Sequence, residues 1–283
     1  MRLLITGAAG MLGQDVVAAA VRAGHEAIPL SRAQLDITDA AAVARAVADA
    51  QPGAVVNCAA YTQVDDAEAD AEAAARVNAE GPAQLAAAAD GVGAWVVHVS
   101  TDYVFDGRAR TGPYVESDPV NPQSVYGATK LAGERAVAAA APGRHTIVRT
   151  AWLFGTGGPC FPATILRLAA ERPELSVVDD QVGCPTFTPH LASALVQLAT
   201  EQTHVGVTHV AAAGQCSWYE LARELVAADG AACTVAPCTT AEFPRPAPRP
   251  AYSVLRSERG APILPDWHEG VGEYMHERAG VHA

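Results

Sequence analysis

No two of the six cysteines, Cys58, Cys160, Cys184, Cys216, Cys233 and Cys238, are spaced as Cys-x-x-Cys. Their scatter argues against a zinc site or a disulfide framework and suits a reducing compartment. Cys58, inside an apolar run, reads as a free buried thiol. No apolar stretch comes near the ~20 residues a membrane-spanning helix needs. Met1–Thr6 runs straight into a strand pattern, without the charged, apolar and cleavable order of a secretory leader. A cytoplasmic protein with no membrane partner is expected. Positive charge is short as well: 19 Lys and Arg face 31 Asp and Glu, for a net charge of −12 and a pI near 5.1. Such a chain repels phosphate backbones and anionic lipid at long range, so nucleic acid is not an expected partner. A small anionic substrate is not excluded, because a few local arginines outweigh the global field at contact distance. There is no internal repeat.

What is present suffices for a substantial core. The 283 residues are 50% hydrophobic and 18% charged, enough for one large domain or two smaller ones. Alanine-rich stretches at 71–75 and 86–89 lie beside Val, Leu and acids at helical spacing and read as helix. Strands are expected at Arg2–Thr6, Glu26–Leu30, Ala54–Ala59, Trp95–Val99 and Thr146–Arg149. Helices are expected at Gln14–Ala23, from a Thr38 or Asp39 cap to just before Pro52, at Asp66–Ala88 with a break at Gly81-Pro82, and at Ser124–Ala140. Such alternation marks a parallel sheet with crossover helices. After about Leu153 the pattern loosens. Thr164–Ala170, Pro189–Thr200 and Ser217–Ala228 look helical, and Ser176–Val178 and Val207–Val210 look like short strands. Phe243–Pro250 carries four prolines and must be an extended loop. The expected fold is α/β: a Rossmann-type doubly wound parallel sheet in a dinucleotide-binding domain (1–152), with a smaller substrate-binding domain (mainly 153–283). The chain is expected to cross back between the two.

Gly7, Gly10 and Gly13 form Gly-x-x-Gly-x-x-Gly between the first strand and the first helix. The first glycine permits a tight turn, the second lets backbone approach a pyrophosphate, and the third lets helix and strand pack closely. The pyrophosphate would sit on free N–H groups at the helix N-terminus. Glycine-rich turns are common, but here a strand precedes and a helix follows. After Leu30 comes Ser31-Arg32, with no acid for a ribose. Arg32 suits a 2′-phosphate, which leans toward NADPH over NADH, or is a solvated surface arginine. Tyr126 and Lys130, four apart, share a helix face. A nearby lysine cation favours the phenolate and lowers a tyrosine's high pKa, and it also reaches ribose hydroxyls, giving a proton relay beside a hydride carrier. The pair alone is weak, since Tyr-x-x-x-Lys arises by chance in exposed helices. Its position after the strand at Val96–Val99 strengthens it. Ser100 or Thr101 at that strand end would aim a hydroxyl into the ligand crevice, with Thr101 favoured.

Across nearly its whole length the chain resembles the extended short-chain dehydrogenase/reductases, and within them the dTDP-4-dehydrorhamnose reductase family. The resemblance is carried by Gly7-Ala-Ala-Gly-Met-Leu-Gly13, Leu35-Asp-Ile37, Val56-Asn-Cys-Ala-Ala-Tyr-Thr-Gln-Val-Asp65 and Ser100 to Gly107. Further runs are Val125-Tyr-Gly-Ala-Thr-Lys-Leu-Ala-Gly-Glu134, Arg149-Thr-Ala-Trp-Leu-Phe154, Asp180-Gln-Val-Gly-Cys-Pro-Thr186, Arg249-Pro250 and Leu264-Pro-Asp-Trp267. It implies that Gly10, Met11 and Leu12 line the pyrophosphate and that Asp36 and Ile37 hold the adenine. Ala60, Tyr61 and Thr62 would border the cofactor. Tyr126 would be proton donor and Lys130 its ribose-bound partner. Thr101 and Asp102 would touch a sugar, and Trp152 would stack near it, although a packed core aromatic is the plainer reading of that tryptophan. The implied reaction is reduction, by NADPH or NADH, of the C4 ketone of dTDP-4-dehydro-β-L-rhamnose. A related dTDP-4-keto-6-deoxysugar, such as a streptose-type precursor, is the alternative. A non-catalytic NADP-binding regulatory subunit is a third reading, against which Tyr126, Lys130 and Thr101 stand. Some resembling proteins hold magnesium between glutamates at a dimer interface. Here Asp15 takes the first position and Pro189 stands where another acid is expected, so no metal is assigned. A monomer or a homodimer fits.

Overall fold

The structure, a computed structural model, describes residues 1–108 and 110–281. The first half runs β1 (Arg2–Thr6), α1 (Met11–Arg22), β2 (Glu26–Leu30), α2 (Ala40–Ala50), β3 (Ala54–Asn57), α3 (Val64–Ala67) and α4 (Ala71–Ala75). A π-helical turn at Arg76–Glu80 leads into α5 (Gly81–Gly91), then β4 (Trp95–Thr101), a 3₁₀ turn at Asp102–Val104, α6 (Val125–Ala140) and β5 (His145–Thr150). The second half runs β6 (Leu153–Phe154), α7 (Phe161–Glu171), β7 (Glu174–Val178), β8 (Val182–Gly183), β9 (Thr186–Phe187) and α8 (Thr188–Glu201). It ends with β10 (Gly206–His209), β11 (Cys216–Ser217), α9 (Trp218–Asp229), β12 (Thr234–Cys238) and α10 (Trp267–Val281).

Six strands form one parallel sheet in the order β10-β5-β4-β3-β1-β2. This is a doubly wound sheet of the Rossmann type, and it reverses direction between β1 and β3. The two-residue period of a strand divides its side chains between two faces. Leu3, Ile5, Val56 and Val97 pack with Val16 of α1 and Leu191 and Leu195 of α8. Leu4, Val55, Val96 and Ile147 face the other way, onto Val43 and Val47 of α2 and Leu85 of α5. Both faces are covered, so these strands read as continuous apolar runs. Each such aliphatic side chain contributes roughly 1.5–3 kcal/mol on burial. β10 pairs with β5 from Gly206↔Thr146 to His209↔Arg149 and brings the chain back to the sheet. A separate core of Phe154, Leu166, Leu175, Phe187, Leu225 and Tyr274 holds α7, β7, α9 and α10 together.

Three local expectations change. The third strand stops at Asn57, two residues early. Helix does not break at Gly81-Pro82: the π turn runs into α5, with Pro82 in its first turn, where a missing N–H costs little. The break falls at 68–70, where Asp70 caps α4 by accepting from the Ala73 N–H. Among the strands and α-helices longer than two residues, β12 and α10 had no sequence signal. The glycines and charges of α10 conceal a helix that tertiary packing of Trp267, Val271 and Tyr274 holds in place.

Candidate active site

A cleft of about 1350 Å³ opens where β1, β3, β4 and β5 end, and it extends over α7, β7 and α9. Crevices beyond the carboxyl ends of parallel strands at a reversal point are where such sheets take ligands. Every site residue singled out from the sequence lines it: Gly7, Gly10, Met11, Leu12, Gly13, Arg32, Asp36, Ile37, Ala60, Tyr61, Thr62, Thr101, Asp102, Tyr126, Lys130 and Trp152.

The glycine turn is built by close approach. Gly7 has φ +66, and a Cβ there would lie 2.7 Å from the Ala59 nitrogen. A Cβ on Gly13 would lie 2.2 Å from the Gly7 carbonyl oxygen, so α1 rests directly on the turn. No side chain caps α1, and its first turn holds no acid. Its leading N–H groups therefore face the cleft with the positive end of the helix dipole, an arrangement that fits a pyrophosphate. Gln14 donates to the Ala9 and Gly157 carbonyls and ties the 155–159 loop beside the turn.

Beyond β2 lie Arg32, Asp36 and Ile37. The Thr38 N–H and hydroxyl both donate to Asp36, at 2.9 and 2.8 Å. These two bonds, more than the Arg32 and Arg76 charges, hold its carboxyl below the ordinary range. Asn78, in the π turn, clamps the Tyr61 backbone: it accepts from the Tyr61 N–H at 2.8 Å and donates to the Tyr61 carbonyl at 3.1 Å. The widened turn thus shapes one wall of the cleft, a common use of π segments.

At the end of β4 the two candidate hydroxyls part. Ser100 donates to Glu134 at 2.6 Å, and Glu134 is held by two bonds from Arg149 in a buried ion pair. Thr101 instead donates to Asp102 Oδ1 at 2.9 Å, and its hydroxyl lies near enough to the Tyr126 phenol to favour the phenolate. Asp102 is buried, and its Oδ2 has no hydrogen-bond partner among the described residues. Burial pushes its carboxyl up to about 6, against the lowering influence of the nearby Ser253 and Thr101 hydroxyls. Tyr126 sits in the first turn of α6, capped by Ser124, with its ring edge-on to Tyr103. Burial pushes the phenol up to about 12; the Thr101 hydroxyl opposes this and the Asp102 charge adds to it. The expected lowering of Tyr126 by Lys130 is therefore absent: burial wins. Lys130, the only lysine in the sequence, donates to the Val99 carbonyl at 2.7 Å. Burial brings its amine down to about 8, despite the raising influence of Glu134 and Cys58.

Trp152 has φ +49, a strained backbone for a bulky residue. Its indole stacks on Trp218 with centroids 3.5 Å apart, and Phe161 packs on Trp218. Gln181 accepts from the Trp218 indole N–H at 3.1 Å. At the cleft mouth Arg249 pairs with Asp65 at 2.8 Å, with Arg245 at 4.0 Å from the same carboxylate. Trp218, Gln181, Phe161 and Arg245 were not singled out from the sequence. Only the proline-stiffened segment around Arg245 and Arg249 carried a readable signal. Of the residues tied to a possible metal, Asp15 is half-buried, and burial raises its carboxyl against the lowering influence of Thr188 and Arg22, Pro189 occupies the first turn of α8, and the neighbouring His190 pairs with Glu273 at 3.1 Å.

A family model described as the RmlD substrate binding domain matches residues 1–279. The chain is similar to dTDP-4-dehydrorhamnose reductase of Mycolicibacterium smegmatis, 47% identical, covering 95% of this chain and 84% of that protein. It is also similar to a probable dTDP-4,6-dihydroxy-2-methyloxan-3-one 4-ketoreductase of Streptomyces antibioticus, 46% identical, covering 96% and 94%. Among solved structures, a dTDP-4-dehydrorhamnose reductase from Clostridium acetobutylicum superposes with a TM-score of 0.95 at 45% identity, covering 99% and 100%. One from Bacillus anthracis, in complex with NADP, superposes at 0.93 and 37%, covering 98% and 99%.

Proposed function

As the chain belongs to the RmlD substrate binding domain family, with dTDP-4-dehydrorhamnose reductases among its near relatives, we propose that it reduces the C4 ketone of dTDP-4-dehydro-β-L-rhamnose. It is an oxidoreductase acting on a dTDP-4-keto sugar with NAD(P)H. The observation that carries the reading is one continuous cleft joining the uncapped α1 N-terminus to Tyr126, Lys130 and Thr101.

The bound nicotinamide coenzyme supplies the hydride. Gly7, Gly10, Met11, Leu12 and Gly13 would receive its pyrophosphate, Asp36 and Ile37 its adenine, and Ala60, Tyr61 and Thr62 its flank. Arg32, exposed and without an acid at the end of β2, favours a 2′-phosphate and so NADPH. Lys130 would hold the ribose. Tyr126 gives its proton to the alkoxide forming on C4. A phenol held at about 12 keeps that proton at neutral pH and surrenders it to the far more basic alkoxide. Thr101 orients the phenol, and its own proton reaches the ketone oxygen only by leaving Asp102. Trp152 and Trp218 form an apolar wall beside the sugar. Arg245 and Arg249 offer charge to the diphosphate, countering a chain of net charge −12. Residues 1–152 would serve the coenzyme and 153–283 mainly the sugar nucleotide.

A related dTDP-4-keto-6-deoxysugar is the second reading, favoured by 46% identity to the S. antibioticus protein against 47% to that of M. smegmatis. Coenzyme oxidation with a panel of dTDP-4-keto sugars separates the two. The rhamnose precursor is expected to give the highest kcat/KM. Higher kcat/KM with another sugar selects the second reading, and no turnover with any member of the panel sinks both.

A further inference from the structure

His98 lies in β4, fully buried, one residue before the carbonyl that accepts from Lys130. It takes no part in the reading above. Its surroundings nevertheless dictate its protonation. The Asn57 amide has one possible orientation, because its oxygen already accepts from the Thr6 hydroxyl at 2.7 Å and from the Ala59 N–H at 3.1 Å. The Asn57 nitrogen must then donate to His98 Nδ1, 3.0 Å away. Nδ1 is therefore an acceptor, and the ring's single proton sits on Nε2. Nε2 faces Lys130 Nζ at 3.5 Å.

An imidazolium would set N–H against N–H at Asn57, beside a lysine charge. Burial, then that charge, hold His98 neutral, well below its ordinary pKa. A neutral ring leaves a donor aimed at the lysine nitrogen. That donor opposes an ammonium and can bond only to the lone pair of a neutral amine. The other titratable groups around Lys130 act differently. Glu134, one turn along α6 and bound to Arg149 of β5, raises it, as does Cys58 beyond β3. Tyr126 stands one turn before it on the same helix.

We propose that His98 is a positioning residue for the proton chemistry: Thr6 and Asn57 lock its ring so that a neutral Nε2–H faces the Lys130 amine, seats that amine on the Val99 carbonyl and eases release of its proton. In the reductive direction this sets the alkaline limit of turnover, because rate falls as Lys130 loses its charge. That kinetic consequence rests on the reductase reading; the protonation states do not.

Because the chain has one lysine, protein carrying isotope-labelled lysine gives a single side-chain amine signal, which can be titrated without ligand. The expected midpoint is about 8 in the wild type. In His98→Leu, which loses the donor, it should rise by about half a unit or more. In His98→Gln, whose amide N–H extends toward the same nitrogen, it should stay near the wild-type value. Nitrogen spectra of labelled histidine should show His98 neutral, with its proton on Nε2, at pH 6. A proton on Nδ1, an imidazolium at that pH, or a His98→Leu midpoint equal to wild type would each overturn the proposal. If His98→Leu does not fold, the wild-type histidine spectrum decides alone. The alkaline limb of kcat/KM should follow the amine midpoint in each variant. A wild type that shows these protonation states but reduces no keto sugar would sink the reductase reading and leave the His98 assignment standing.

Discussion

Lys130 is 2% exposed, and among the described residues its amine has the Val99 carbonyl as its one close acceptor. Its proton is held at about 8, against an ordinary 10.5. A lysine with a lowered pKa in the folded state penalises folding wherever it is charged. The penalty is complete below pH 8, fades as pH rises and is gone above 10.5. Keeping that charge buried costs about 3 kcal/mol, of which the Val99 bond returns about 1 kcal/mol. Lys130→Met should therefore stabilise the ligand-free protein by about 1–2 kcal/mol at pH 7 while removing activity. The gain should vanish toward pH 10.5, as urea melts at the two pH values would show. Equal destabilisation at both would mean that the charge is not the cost. Asp102 carries the opposite dependence: its raised carboxyl penalises folding above about pH 6 and not below its unfolded value of 3.8. Both buried charges are costs that a purely structural cleft would not retain.

The first turn of α6 rests on the 3₁₀ turn after β4, and Gly127 is the point of contact. A Cβ there would lie 2.2 Å from the Tyr103 carbonyl oxygen. Alanine gains ~0.5–1 kcal/mol over glycine in a helix, but this approach is to backbone, and overpacking costs roughly 1–3 kcal/mol. Gly127→Ala should therefore lose stability and, by moving Tyr126 away from Thr101, lose kcat/KM while coenzyme affinity holds. Unchanged kcat/KM would show that the two turns do not set the phenol. Local features of this kind explain what the sequence disclosed. The glycine turn, the Tyr126–Lys130 spacing and the hydroxyl at the end of β4 each occupy a few consecutive residues, so pattern alone exposed them. His98 was hidden because a strand residue flanked by valines reads as core. Trp218 and Gln181 were not recognisable as site residues because they meet only through the tertiary path of the second half. The π turn was hidden because its residues have no signature distinct from α-helix.

At the scale of the molecule, the cleft runs from the six-stranded sheet to the second core, and β10 joins the two halves. Ligand that binds only the folded chain stabilises it, by about 2.7 kcal/mol at a hundred times Kd. NADPH should accordingly raise the melting temperature more than NADH at equal concentration, and Arg32→Ala should erase the difference. A variant that keeps the NADPH preference would place the 2′-phosphate contact elsewhere. The central claim is that this cleft performs a reduction in which Tyr126 supplies the proton. The most direct test is steady-state turnover of dTDP-4-dehydro-β-L-rhamnose by the wild type and by Tyr126→Phe. The account predicts that kcat in the variant falls by about 10²–10⁴-fold, with the KM for coenzyme little changed. Wild-type turnover with undiminished kcat in Tyr126→Phe would contradict it.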